Sequence, residues 1–122
     1  MIAASDLRDP VTNQQALVSG VAASGGQATG PVRVIREPGQ FGELRSGDVL
    51  VCPYTNPAWT PLFARAAAVV VDSGGVGSHA AIVAREYGIP AVMGTGTGTT
   101  ALTDGQRVTV DGNTGLVLAD QP

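Results

Sequence analysis

The segment GGVGSHAAIVAREYGIP, from Gly74 to Pro90, holds the only histidine of the chain, His79, where a glycine-rich turn gives way to a run of helix formers. Ser78 is suited to cap such a helix, because a serine hydroxyl accepts from the otherwise orphaned amides of the first turn. His79, Ala80 and Ala81 then carry the first free N–H groups, and Gly75 and Gly77 allow the loop backbone to close around an anion. Gly74, Gly75, Gly77 and Ser78 read together as a phosphate cradle. The positive helix end favours negative charge by about 0.3–1 kcal/mol, and by up to about 2 kcal/mol when partly buried. Such an end disfavours imidazolium, and neutral imidazole is the nucleophilic form. Such a ring can attack phosphorus, and the same helix end then stabilises the dianionic group that it carries. A covalent phosphohistidine splits one hard transfer into two easier ones.

Competing chemistries fit the residues less well. A hydrolase triad would need a histidine to activate Ser78 from another position, and the chain has no second one. The glycines lack the Gly-Lys-Ser/Thr that ends a phosphate-binding P-loop, and they do not follow the Gly-x-Gly-x-x-Gly spacing. Taken without its surroundings, a lone histidine at a helix start is more often satisfied by a backbone partner. Arg85 lies about 120° around the helix from His79, at about 100° per residue, so a surface salt bridge or a contact with a partner domain suits it at least as well as phosphate contact. Glu86 lies nearer the histidine face, two turns on. Thr55 either caps a short helix that begins near Pro57 or reaches the histidine loop with its hydroxyl. Trp59 reads as a core anchor, and Asp72 is a weak candidate for orienting the ring.

The elements that must position these residues follow from pattern. Leu17 to Ala22, Pro31 to Ile35 and Asp48 to Cys52 are short β-like runs, separated by turns at Pro38-Gly39 and Ser46-Gly47-Asp48. Val69, Val70 and Val71 form an unbroken β-branched run, as in a strand covered on both faces. A turn over Ser73 to Gly77, a helix capped by Ser78 and ended by Gly88, and a strand over Ile89 to Met93 complete a strand–helix–strand unit. Ligands gather at the carboxyl ends of strands in such units. GTGTGTT, 94 to 100, reads as a mobile low-complexity loop. Val108, Val110, Leu116 and Leu118 alternate about an Asp-Gly-Asn-Thr-Gly turn as a closing hairpin. Residues 1–15 are polar and read as an arm or linker, 16–119 as one α/β domain in which a small β unit packs on the strand–helix–strand core, and 120–122 as a tail.

Composition narrows the function. The 122 residues suffice for one small domain, which buries roughly two thirds of its unfolded surface. Aromatic residues are 4%, so the core must be built from Val, Ala, Leu and Ile. A net charge of −3 without Lys/Arg clusters argues against nucleic acid, whose phosphates need a basic face. The single cysteine, Cys52, rules out an internal disulfide and reads as a small buried hydrophobe; one Cys and one His cannot build a zinc cluster. No run approaches the length of a membrane span, and the start shows no secretory pattern, so the expectation is a cytoplasmic, soluble protein.

GGVGSHAAIVAREYGIPAV, preceded by TNPAWTPLFARAAAVVVDS and followed by LTDGQRVTVDGNTG, resembles the mobile phosphohistidine domain of phosphoenolpyruvate-utilising enzymes. That family includes phosphoenolpyruvate synthase, pyruvate phosphate dikinase, enzyme I of the sugar phosphotransferase system and rifampin phosphotransferase. The likeness runs from Leu17 to Leu118. It implies a swivelling β/β/α domain of a phosphotransferase, whose histidine takes a phosphoryl group at one active site and delivers it at another. The partners it implies are a nucleotide-binding ATP-grasp domain and a phosphoenolpyruvate/pyruvate barrel or other acceptor domain. ATP, magnesium and phosphoenolpyruvate belong to those partners, and the mobile domain binds no cofactor of its own. By the same resemblance His79 takes the phosphoryl group at Nε2, Ser78 and the glycines form its loop, and Arg85 matches a recurrent arginine. The chain departs from the pattern at Gly77, where many relatives carry a threonine that is regulatory in the dikinases, and at Asn56 and Ala58, where Thr-Asp-Pro-Asp-Trp is common. Neither partner domain fits in 122 residues, so the expectation is a free-standing carrier or a piece of a longer enzyme with the polar start as hinge. Two rival readings are a docking or regulatory module that keeps the fold and is never phosphorylated, and an unrelated nucleotide or small-molecule binder that reuses the loop.

Overall fold

A computed structural model describes residues 16–120. The expected arm, 1–15, and the last two residues of the expected tail lie outside that range. Apolar β-branched runs pair as eight strands, β1 (Ala16–Ser19), β2 (Val21–Ser24), β3 (Gln27–Val34), β4 (Val49–Cys52), β5 (Ala68–Val71), β6 (Ala91–Met93), β7 (Arg107–Asp111) and β8 (Leu116–Ala119). Prolines open two 3₁₀ helices, Pro38–Glu43 and Pro57–Ala64, as expected where the missing N–H would have no partner anyway. The main helix is His79–Tyr87, and a short one spans Gly98–Ala101.

The strand order is β1-β8-β7-β3-β4-β5-β6-β2. β3 belongs to both halves of the sheet. Gln27 to Pro31 pair antiparallel with β7, whereas Val32 to Val34 pair parallel with β4. The sheet folds over at this strand and gives three layers, β/β/α. Alternate side chains of the parallel strands serve different layers, as period 2 requires. Val49, Val51, Ala68, Val70 and Val92 pack with Val108, Val110 and Val117 of the antiparallel strands. Leu50, Cys52, Val69, Val71 and Met93 pack beneath the main helix with Trp59, Leu62 and Phe63. Val69, Val70 and Val71 are buried on both faces, as their unbroken run indicates.

Apart from the ends of elements, such as β3 opening at Gln27 rather than Pro31 and β6 at Ala91 rather than Ile89, three details differ from the sequence expectation. Leu17 to Ala22 is two strands rather than one, broken at Gly20. A Cβ at Gly20 would collide with the Met93 carbonyl oxygen, and the Gly20 amide donates to the Gly115 carbonyl at 2.8 Å. The outermost strands, β1 and β2, are therefore consecutive in sequence, and the folded sheet brings its two edges together. The Gly94–Thr100 stretch, read as a mobile loop, instead carries the short helix and hydrogen bonds to Asp72. In the closing hairpin Val110 pairs with Val117, so the buried row is Val108, Val110 and Val117, while Leu116 and Leu118 are only half-buried opposite Asp111 and Thr109. The four-residue connection Gly112 to Gly115 sets that register.

Trp59 is a core anchor, with its ring edge-on to Phe41 at 4.9 Å between centroids. Burial pushes the Cys52 thiol far up, and the Asp72 carboxylate adds to the effect, so Cys52 stays a thiol and serves packing. No helix among the described residues is long and apolar enough to cross a membrane.

Asp111 is buried at the hairpin turn. Burial opposes its ionisation, but donors outweigh it: the Asn113 amide at 2.9 Å, the Gln27 side-chain amide at 3.0 Å and the Thr114 amide at 3.3 Å. These bonds hold its carboxyl below the ordinary aspartate range. A depressed folded value stabilises the fold above the unfolded value of about 3.9, and the contribution is lost as pH falls through the folded value. Asp111→Asn should be less stable than the parent by on the order of 1 kcal/mol at neutral pH. Urea unfolding across pH should show that gap closing below about pH 4; a gap independent of pH would remove the ionised carboxylate from the account.

Candidate functional site

The main helix starts and stops where its residues require. Ser78 has extended backbone angles, and its Oγ accepts from the Ala81 amide at 3.3 Å while donating to the Gly75 carbonyl at 2.8 Å. Gly88 closes the helix in the left-handed region at φ 70°, a conformation that disfavours any residue with a Cβ. His79 therefore sits in the first turn, half-buried, at the carboxyl end of the parallel strands.

Its ring is held from two sides. Nδ1 lies 2.7 Å from Thr55 Oγ1, and Nε2 lies 3.3 Å from Thr60 Oγ1. Phe63 presents its ring nearly perpendicular, at 87° and 6.4 Å between centroids. Both threonines come from the connection after β4, which neighbours the connection after β5 because those strands are parallel partners. Of the two roles open to Thr55, the structure takes the second. Asn56 caps the 3₁₀ helix Pro57–Ala64 by accepting from the Ala58 amide at 3.0 Å, which leaves the Thr55 hydroxyl for the ring. Sequence reasoning missed Thr60. The one available signal was a threonine alone in the apolar stretch WTPLF, with Trp59, Leu62 and Phe63 all buried around it.

Positive φ in the loop falls on Gly74, at 86°, where a Cβ would also come within 2.9 Å of Ser78 Cβ. Gly75 and Gly77 have negative φ and open space at the Cβ position, so the loop's outer surface admits close approach of another group. Among the described residues, the amides of Gly74, Gly75, Val76, Gly77, His79 and Ala80 donate to no other protein group. Uncommitted donors at a helix start favour negative charge beside them.

Arg85 neither pairs with a described carboxylate nor points at the ring. Its guanidinium runs back along the helix and donates to the Val76 carbonyl at 2.8 Å and the Ala23 carbonyl at 2.8 Å, clamping the crest of the loop to β2. Glu86 is exposed on the helix surface. Asp72 does not reach His79; its carboxylate accepts from Thr95 and Thr99. Among the described residues no group of three or more His, Cys, Asp or Glu could hold a metal ion. The ring's polar partners are thus hydroxyls rather than an acid, and Ser78 Oγ is occupied within its own loop. This arrangement does not build a serine hydrolase; it presents one imidazole beside free amides.

Comparison with known proteins places this geometry. The model of the family described as "PEP-utilising enzyme, mobile domain" matches residues 44–115. The "Uncharacterized phosphotransferase YvkC" of Bacillus subtilis is 54% identical over 105 residues, covering 86% of this chain and 13% of that protein. The "Phosphoenolpyruvate synthase" of Aeropyrum pernix is 49% identical over 114 residues, covering 91% of this chain and 14% of that protein. The chain thus spans about a seventh of the length of these relatives. Among solved structures, the solution structure of Enzyme I superposes with a TM-score of 0.58 at 32% identity, over 67% of this chain and 34% of that one.

The clamp predicts a graded loss. Arg85→Ala should cost about 1–2 kcal/mol in urea unfolding, and Arg85→Lys, which can reach one carbonyl rather than two, about half of that. Hydrogen exchange should quicken in both variants at Ser78, whose amide donates to the Gly75 carbonyl at 3.1 Å within that loop. Equal stability of all three proteins would show that the loop crest does not depend on the guanidinium.

Proposed function

The chain belongs to the mobile-domain family of phosphoenolpyruvate-utilising enzymes, and from that premise we propose that it is a phosphoryl carrier whose His79 Nε2 is transiently phosphorylated. The observation that carries the reading is the pair of unequal contacts on the ring. A nucleophilic nitrogen needs its lone pair, so in the reactive tautomer the proton sits on the other nitrogen. The 2.7 Å contact gives Nδ1–H an acceptor in Thr55 Oγ1, and the 3.3 Å contact leaves Nε2 loosely held by Thr60.

In the proposed step the Nε2 lone pair forms the N–P bond while the bridging P–O bond of the donor breaks, and the departing oxygen keeps that electron pair. Nδ1 retains its proton against Thr55. Thr60, released from nitrogen, donates to a phosphoryl oxygen, and the uncommitted amides at the start of the helix supply further donors. Delivery reverses the sequence at an acceptor oxygen. The donors and acceptors are held by partner domains: an ATP-grasp domain binding ATP and magnesium, and a phosphoenolpyruvate/pyruvate barrel or another acceptor domain. The length of the relatives leaves room for such domains in a parent chain. A swivel of this domain between those sites is the motion that the reading requires, and a cytoplasmic location is the compartment that it suits.

Departures from the common family pattern leave the ring contacts in place. Asn56 still supplies a capping oxygen, Ala58 is exposed, and Gly77 faces open space. These positions bear on regulation and docking rather than on the nucleophile.

Incubation with phosphoenolpyruvate and a barrel partner, or with labelled ATP and a nucleotide-binding partner, should put an acid-labile, base-stable label on the parent chain and none on His79→Ala. Thr60→Val should still be labelled, about 2- to 10-fold more slowly, the effect of one neutral hydrogen bond. The isolated chain should show no saturable nucleotide binding. An unlabelled parent with both donor systems would favour the docking module, and saturable nucleotide binding by the chain alone would favour the unrelated binder.

A further inference from the structure

The Gly-Thr segment after β6 has no part in the carrier step, yet it is bonded throughout to the connection that carries His79. Thr95 N donates to the Val71 carbonyl at 3.2 Å, Gly96 N to the Asp72 carbonyl at 2.9 Å, and Gly94 N to the Ser73 carbonyl at 3.4 Å. The Asp72 carboxylate completes the seam. Oδ2 accepts from Thr99 Oγ1 at 2.6 Å, and Oδ1 accepts from Thr95 Oγ1 at 3.1 Å and from the Thr99 amide at 3.2 Å. Glycines lie where the two strands of backbone approach closely: a Cβ on Gly94 would come within 2.9 Å of the Gly74 carbonyl oxygen, and one on Gly98 within 3.1 Å of Asp72 Oδ1.

The next residue ties the seam to the ring. Ser73 Oγ donates to the Pro53 carbonyl at 2.8 Å, and Ser73 N donates to the same oxygen at 3.2 Å. Pro53 stands two residues before Thr55, the partner of His79 Nδ1. The dipeptide Asp72-Ser73 thus joins three connections, with the β6 connection held by the side chain of Asp72, the β4 connection by Ser73, and the histidine loop continuing from both.

We propose that Asp72 is a positioning residue: by anchoring the Thr95–Thr99 segment it fixes the Asp72-Ser73 junction, and through it the Thr55–His79 contact that selects the tautomer of the ring. The proposal rests on the carrier reading for its consequence in transfer, but its geometry can be tested without any partner.

The experiment compares the parent 122-residue chain with Thr99→Val, Thr99→Ser and Asp72→Ala, using long-range ¹H–¹⁵N spectra of the imidazole at a pH where the ring is neutral, together with exchange of the hydrogen-bonded amides of Ser73 and Ser78. The parent should show a protonated Nδ1. Thr99→Val should show a mixture of tautomers and amide exchange faster by about 10-fold, the effect of losing one charge-assisted hydrogen bond. Thr99→Ser, which keeps the hydroxyl, should restore the parent pattern, and Asp72→Ala should exceed Thr99→Val. If Asp72→Ala does not fold, Thr99→Val decides, since it leaves the carboxylate and the backbone in place. With a phosphoryl donor and its partner domain, kcat should fall and KM for the partner should stay, because no docking surface is altered. Parent-like tautomer and exchange in a folded Thr99→Val would overturn the proposal, whether or not His79 is phosphorylated. An unlabelled parent chain that nonetheless shows the tautomer coupling would sink the carrier reading alone.

Discussion

An imidazole becomes a useful nucleophile only when one of its nitrogens is held and the other is left available. The contacts on His79 are unequal in that sense, with Thr55 Oγ1 2.7 Å from Nδ1 and Thr60 Oγ1 3.3 Å from Nε2. They need two connections from different strands to meet within hydrogen-bond distance. The parallel pairing of β4 with β5 brings their carboxyl ends together, and the Ser78 cap fixes where the ring leaves the helix. A hydroxyl partner orients the ring without placing a formal charge beside it. That suits the proposed carrier step, since a neighbouring carboxylate would repel phosphoryl oxygens.

Much of this was legible in the sequence because local chemistry decides it. Ser78 and Gly88 bound the helix as capping rules require, the valine run of β5 announced a strand covered on both faces, and Trp59 marked the core. The unread parts are those that local patterns cannot carry. The strand breaks at Gly20 because its two halves pair with different strands, β8 and β6, and the Met93 carbonyl leaves no room there for a Cβ. The hairpin register follows from the four residues of its turn, so Val117 rather than Leu116 or Leu118 fills the inner row. Low complexity in GTGTGTT suggested mobility, but its glycines admit close backbone approach and its threonines satisfy Asp72.

The site shows the same division. His79 and its glycine loop stood out by type and spacing. Thr60 did not, since a lone threonine in an apolar stretch signals a polar contact without naming its partner. Arg85 reads as a salt-bridge or partner-contact residue from its angle around the helix, yet its long side chain runs back towards the amino end and ends on two carbonyls, a destination that angular arithmetic does not supply. Asp72 does not touch the ring; its carboxylate accepts from Thr95 and Thr99 beneath it.

The central claim is that Nε2 of His79 carries the phosphoryl group while Nδ1 keeps its proton. ³¹P spectra of the phosphorylated chain, uniformly ¹⁵N-labelled at histidine, read this directly. The account predicts one phosphorus coupled to Nε2, with a protonated Nδ1 in the same ring. Phosphorus coupled to Nδ1, or bonded to oxygen on Ser78 or a threonine, would contradict it.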